Sequence, residues 1–183
     1  MTIFETERLL VRHLQADDVD NLLAITGDAE LMRYMGDGKP LSRELTAKWI
    51  DVSINNYATK GYGCSAVIDK QDGAFIGFCG LVRSEMAEPP DDAELIYALQ
   101  KPYWGRGLTT EVAGAMLAYG LRKCALKRII ATIDPANTPS IRVAHKIGFE
   151  YARTEPDSDG LPTQIYELTA EYRVKYASME NAE

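Results

Sequence analysis

The stretch Pro102-Tyr103-Trp104-Gly105-Arg106-Gly107-Leu108-Thr109-Thr110-Glu111 decides how the rest of the chain is read. It stands between a run with strand character and a run with helical spacing. Two glycines at a strand-to-helix turn let the backbone approach an anion, and the first N–H groups of the helix, with its dipole, favour negative charge. Arg106 adds a cation at the same place. On this feature alone, a tight loop with a packing tryptophan explains the residues as well as an anion site does.

Upstream of this turn, residues 63–69, 74–83 and 93–99 form three short β-rich runs, the first two joined by Lys70-Gln71-Asp72-Gly73. Asp-Gly between such runs is a strong hairpin signal, so the three strands read as an antiparallel meander. Further upstream the spacing is helical. Leu9, Val11 and His13 alternate with Leu10, Arg12 and Leu14 in a first strand, expected at a sheet edge. Asp17 is then a plausible N-cap for a helix carrying Val19, Leu22, Leu23 and Ile25, with Gly27 as its stop. A short helix is expected over residues 29–35. After the breaker Gly36-Asp37-Gly38-Lys39-Pro40, Ser42 caps a longer helix with Leu45, Trp49, Ile50, Val52 and Ile54.

Downstream, Val112, Ala113, Met116, Leu117 and Leu121 lie on a broad apolar helical face. A β-branched strand at 127–133, a short helix at 140–147 and strands at 149–154 and 164–168 follow. The order is mixed α/β, neither strictly alternating nor segregated. A single domain is expected over residues 1–175, with 176–183 as a frayed tail.

The chain has 183 residues, 20 Lys+Arg against 27 Asp+Glu, and a formal net charge of −7. That size suits one domain with one core. The acidic balance disfavours wholesale binding to a nucleic-acid backbone, though a local basic loop can still hold a few phosphates. Cys64, Cys79 and Cys124 are odd in number and lack CxxC spacing, which argues against a disulfide framework or a zinc site. No signal-like leader or membrane-length apolar run is visible. The reading is a soluble, reduced, cytoplasmic protein that uses no metal.

Two further segments carry chemistry. In Asp134-Pro135-Ala136-Asn137-Thr138-Pro139-Ser140, Asn137 follows a strand and precedes a helix, so its amide either caps that helix or reaches an extended ligand. In Ala93-Glu94-Leu95-Ile96-Tyr97-Ala98-Leu99, Glu94 is a carboxylate among apolar neighbours. Buried, it would have a raised proton affinity suited to a general base. On the polar face of an edge strand, it would be a surface residue.

Taken together, Tyr103-Trp104-Gly105-Arg106-Gly107 with Thr110-Glu111, then Asn137-x-x-Ser140-Ile141-Arg142-Val143 and Lys146-Ile147-Gly148-Phe149, resemble the GNAT superfamily of acyl-CoA-dependent N-acetyltransferases. Its ribosomal-protein N-terminal acetyltransferase branch (RimJ/RimL-like) is the most similar, and Thr6-Glu7-Arg8-Leu9-x-Val11-Arg12 resembles the start of that branch. The resemblance covers about residues 6–168. It implies a GNAT fold with a splayed, largely antiparallel mixed sheet, and acetyl-CoA as cosubstrate.

The family's phosphate loop falls on Trp104-x-x-Gly107-x-Thr109, with Trp104 in place of a polar first residue and Thr109 at the small-residue position. The resemblance implies that backbone N–H groups of Gly105, Arg106, Gly107, Leu108, Thr109 and Thr110 bind the CoA pyrophosphate. It also implies a bulge in the strand 94–99. Main-chain groups of Tyr97, Ala98 and Leu99 would there pair with pantetheine as an added strand does, and the Ala98 N–H would stabilise the oxyanion. Asn137 would contact the pantetheine arm.

Glu94 matches the position of the general base in some members. The tyrosine that many members use as general acid is here Ala144. Ser140 is its replacement, or else a first-turn residue that contacts CoA; Tyr97 and Tyr151 are further donors. His145 is expected to face solvent. Met32, Tyr34, Met35, Trp49 and Tyr57 are divided between core and acceptor groove, and Glu85, Glu88, Asp91 and Asp92 form an acidic loop that would attract a cationic acceptor. The acceptor is expected to be an amine. A protein N-terminal α-amino group is the first choice, with a small amine (polyamine, amino acid or aminoglycoside) or a non-catalytic acyl-CoA sensor as alternatives. No nucleic-acid or membrane partner is expected, and a homodimer is possible from the family's habit.

Overall fold

The computed structural model describes residues 1–83, 86 and 92–178. Glu85, Glu88 and Asp91 of the expected acidic loop lie outside the described residues, as do the last five of the chain.

Eight strands form one sheet in the order β1-β2-β3-β4-β5-β6-β8-β7. They are β1 (Thr2–Glu5), β2 (Leu9–His13), β3 (Cys64–Asp69), β4 (Phe75–Val82), β5 (Asp92–Leu99), β6 (Arg128–Ile133), β7 (Phe149–Pro156) and β8 (Pro162–Leu168). Every neighbouring pair is antiparallel except β5 with β6. The mixed, largely antiparallel sheet expected from the sequence is therefore present. The strand at Leu9–His13 is not an edge, because Thr2–Glu5 pairs on its outer side.

Strand alternation sends side chains to two separate cores. On one face Leu9, Val11, Cys79, Leu81, Leu95 and Leu99 pack with α4 (Leu108–Arg122), α5 (Thr138–Lys146) and α6 (Ala170–Ser178). On the other, Cys64, Ala66 and Phe78 pack with Leu22 and Ile25 of α1 (Val19–Thr26) and Ile50 of α3 (Arg43–Lys60). Phe78 meets the Trp49 ring edge-on at 5.0 Å.

Three local expectations change. A 3-10 turn, Ala16–Asp18, precedes α1, and Asp18 rather than Asp17 is the residue that organises it. Its carboxylate takes Arg12 Nη1 at 2.6 Å, Arg12 Nη2 at 2.7 Å and the Gln15 N–H at 2.8 Å. The short helix α2 stops at Met32, with Asp28 capping it (Ala29–Met32). In α3, capped by Ser42 as expected, the buried face is Thr46, Ile50, Ser53 and Tyr57, while Leu45, Val52 and Ile54 are exposed. Polar groups tolerate those buried positions because each finds a partner. Thr46 bonds Thr26 at 2.8 Å, Tyr57 bonds Ser65 at 2.5 Å, and the Ser53 hydroxyl donates to the Trp49 carbonyl at 2.9 Å.

The C-terminal helix α6 is absent from the sequence reading, and it runs through Ser178 with Tyr176 buried. It covers Gly148, whose φ is +90°, where a Cβ would lie 1.9 Å from the Tyr172 ring. Close contact with an aromatic ring and a left-handed backbone both require glycine at this turn between α5 and β7.

Candidate active site

The site is built where the parallel pair comes apart. β5 and β6 are in register at Asp92↔Arg128, Ala93↔Ile129 and Glu94↔Ile130, and pairing ends there. β6 continues to Ile133 against β8, while β5 continues to Leu99 against β4. From Leu95 onward the β6-facing edge of β5 is open.

The register of β4 with β5 runs without a shift from Val82↔Glu94 to Gly77↔Leu99, so the expected bulge is absent. The Gln100 N–H donates to the Ile76 carbonyl at 2.8 Å, in phase with that register. Hydrogen-bonded and non-bonded pairs alternate along an antiparallel ladder, so Glu94, Ile96 and Ala98 turn their main-chain groups toward β4. Those of Tyr97 and Leu99 point into the gap instead. The Ala98 N–H, expected to serve as the oxyanion donor, thus faces β4, and the N–H groups of Tyr97 and Leu99 face the gap. The Leu99 carbonyl accepts from Trp104 Nε1 at 2.7 Å, which ties the following loop to the end of the open edge.

Glu94 stands at the apex of the splay and accepts a hydrogen bond from the Thr132 hydroxyl on β6. It is half-buried, on the same face as Asp92, Ile96 and Ala98. Beside it on that face runs a chain of ion pairs. Arg128 bonds Asp92 at 3.0 Å and Glu167 at 2.5 Å, and Arg153 bonds Glu167 at 3.1 Å and Glu155 at 2.6 Å. Among these side chains four carboxylates, Asp92, Glu94, Glu155 and Glu167, stand against two guanidinium groups, Arg128 and Arg153, so the face is acidic.

Across the gap, Asn137 caps α5, its Oδ1 accepting the Ser140 N–H at 3.3 Å. This satisfies the capping reading and leaves the amide N–H groups as donors. The Tyr97 hydroxyl donates to the Ser140 carbonyl at 3.4 Å, which joins β5 to α5. Burial pushes the Tyr97 phenol up to about 12, against the opposing effect of the Ser140 contact, and it stays protonated at neutral pH. Ser140 is half-buried, and Ala144, one turn on, is buried in the core. His145 is exposed, as expected, with its ring against the edge of Tyr166 and Nδ1 3.1 Å from the Phe149 carbonyl. Tyr151 is exposed, and its hydroxyl lies 3.0 Å from that of Thr154. Of the candidate acceptor residues, Met32 and Tyr57 are core, while Tyr34, Met35 and Trp49 are half-buried.

The glycine turn leads into α4 as expected, with Gly105 at φ +73° and Gly107 at φ +78° as the N-cap. A Cβ at Gly105 would meet nothing within 4 Å, and one at Gly107 only Arg8 Nη2 at 3.7 Å. The glycines therefore serve backbone conformation rather than close packing. Leu108 is buried and anchors the helix, while Thr109 and Thr110 are half-buried. Arg106 is exposed, its guanidinium 5.5 Å from the Tyr103 ring centre.

The sequence reading missed what holds this loop. The turn between β1 and β2 reaches over it: Thr6 Oγ1 donates to Glu111 Oε1 at 2.6 Å, the Arg8 N–H to the same oxygen at 3.0 Å, and Arg8 Nε to Glu111 Oε2 at 2.7 Å. Arg8 Nη1 also donates to the Arg106 carbonyl at 2.9 Å. The partners lie 98 to 105 positions apart in the chain, so no local pattern announces the contact. Burial pushes the Glu111 carboxyl up, but hydrogen bonds from Thr6 and Arg8 outweigh it and hold it below the usual range.

An open strand edge, a carboxylate at its apex and a glycine-rich helix start suit a thioester donor carrying a pyrophosphate and an amide-rich arm. The Acetyltransferase (GNAT) domain family matches residues 8–150. An uncharacterized protein, YkkB, of Bacillus subtilis (strain 168) is 35% identical over 152 residues, covering 81% of this chain and 86% of that protein. An uncharacterized N-acetyltransferase, p20, of Bacillus licheniformis is 30% identical over 151 residues, covering 82% and 83%. The crystal structure of an acetyltransferase (GNAT family) from Bacillus anthracis superposes with a TM-score of 0.75 at 27% identity, covering 91% of this chain and 96% of that one. With the splayed strands, the glycine turn and α5 all inside the matched span, this chain belongs to the GNAT family of N-acetyltransferases.

Proposed function

We propose that the protein transfers an acetyl group from acetyl-CoA to a protein N-terminal α-amino group by direct attack in a ternary complex. The observation that carries this reading is the open edge of β5 from Leu95 to Leu99, with Glu94 at its closed end. Acetyl-CoA supplies an activated acyl carbon and a thiolate leaving group. The residues that would hold it are the N–H groups of residues 105–110, Asn137, and the gap-facing main chain of Tyr97 and Leu99. Those two N–H groups, in place of Ala98, are the donors available to negative charge developing on the thioester oxygen.

Glu94 takes the proton of the attacking amine, because a protonated amine has no lone pair. Ser140 returns a proton to the thiolate. An α-amine, with a pKa near about 8, is partly neutral at physiological pH and makes a modest demand on the base. The acidic face around Glu94 favours a cationic acceptor.

Thiol release from acetyl-CoA, measured across peptides with free N-termini, polyamines, amino acids and aminoglycosides, tests the reading. Peptides are expected to give the highest kcat/KM. A small amine exceeding every peptide would overturn the acceptor assignment, and CoA binding without release for any amine would indicate a sensor.

A further inference from the structure

The start of α4 contains a conflict. The helix N-terminus is expected to bind a pyrophosphate, yet Glu111 lies in the first turn of the same helix. An uncompensated carboxylate there would spend the favourable end of the dipole on itself and repel the ligand. Both Glu111 oxygens are instead taken up by the β1–β2 turn, through Thr6 and Arg8, with an Arg8 Nη2–Glu111 Oε2 contact of 2.5 Å. The same guanidinium holds the Arg106 carbonyl between the two left-handed glycines.

We propose that Arg8 is a positioning residue for the donor, which cancels the Glu111 charge at the start of α4 and fixes the Gly105–Gly107 turn so that the helix N–H groups stay available to the CoA pyrophosphate. This rests on the reading of the loop as the CoA site. It extends that site to a hairpin turn remote in sequence. A paired Glu111 leaves the helix start with its dipole and no net negative side chain, while an unpaired one places a full charge within a turn of the phosphates.

The test is CoA affinity measured by titration calorimetry, alongside thermal unfolding without ligand, for wild type, Arg8→Ala, Arg8→Lys, Glu111→Gln and the double variant Arg8→Ala/Glu111→Gln. Arg8→Ala is expected to weaken CoA binding about tenfold, the scale of one charged hydrogen bond. The double variant should recover a substantial part of that loss, because the repelling charge has gone, and Arg8→Lys should fall between wild type and Arg8→Ala. Glu111→Gln alone should bind within about threefold of wild type. Unchanged affinity in Arg8→Ala would overturn the proposal, as would a double variant at least as weak as Arg8→Ala, which is what a purely structural role gives. Wild type failing to bind CoA would instead overturn the reading of the site. If Arg8→Ala does not fold, Arg8→Lys compared with the double variant decides the matter.

Discussion

The Thr132 hydroxyl donates to the Glu94 carboxylate across the last rung that joins β5 to β6. The bond fixes the carboxylate at the point where the strands part. Glu94→Gln is expected to lower kcat by about a hundredfold or more, the usual scale of general-base catalysis. The deficit should be largest at pH 6.5 and shrink toward pH 9, where the acceptor is already neutral. A pH–rate profile of the variant parallel to that of wild type would remove Glu94 from the mechanism.

Ser140→Ala is expected to lower kcat with little change in KM for acetyl-CoA, since the Asn137 cap contacts the Ser140 main chain and survives the substitution. Tyr97→Phe separates the two candidate donors. Its phenol, pushed up to about 12 by burial, donates to the Ser140 carbonyl, and its removal should cost about 1 kcal/mol of stability and less activity than Ser140→Ala. Steady-state kinetics and denaturant unfolding of both variants make the comparison.

Two glycines should respond differently to alanine. At Gly107 only backbone strain opposes the change, about 1–2 kcal/mol, with a higher KM for acetyl-CoA because the turn must shift. At Gly148 strain adds to a collision with the Tyr172 ring, so a loss of about 3 kcal/mol or more is expected, with α6 displaced. Thermal unfolding measures both.

Asp18 links folding to pH. Burial raises its carboxyl, but the Arg12 hydrogen bond, the Gln15 N–H and the Arg12 charge outweigh that and hold it below its ordinary value. A depressed carboxyl contributes stability above its unfolded pKa of about 3.9, and this contribution fades as pH falls through the lower folded value. Asp18→Asn should therefore be less stable than wild type at pH 7, with the difference narrowing below about pH 4. Urea midpoints at pH 7 and at pH 3 test this, and a difference that stays constant would contradict it.

The fold was legible where local chemistry dominates. The Asp72-Gly73 turn, the Ser42 and Asn137 caps and the Gly105–Gly107 turn each lie where the residues indicate. Long-range pairing was not legible. Thr2–Glu5 is too short to read as a strand until Leu9–His13 pairs with it. The buried face of α3 carries Thr46, Ser53 and Tyr57, which look polar until their partners are known. Helix α6 depends on Tyr172 and Tyr176 meeting Gly148 and Gly114, contacts made only after folding. In the site, the motif located the strand but not the phase of its ladder. That phase, set by the Gln100–Ile76 bond, moves the edge donors from Ala98 to Tyr97 and Leu99.

The most direct measurement is an initial-rate study with acetyl-CoA and an N-terminally free peptide, with CoA release and acetylated peptide quantified together. The account predicts intersecting double-reciprocal lines, one CoA released per acetyl group transferred, and modification at the α-amine. Parallel lines with an isolable acetyl-enzyme, or CoA release with no acetylated amine, would contradict it.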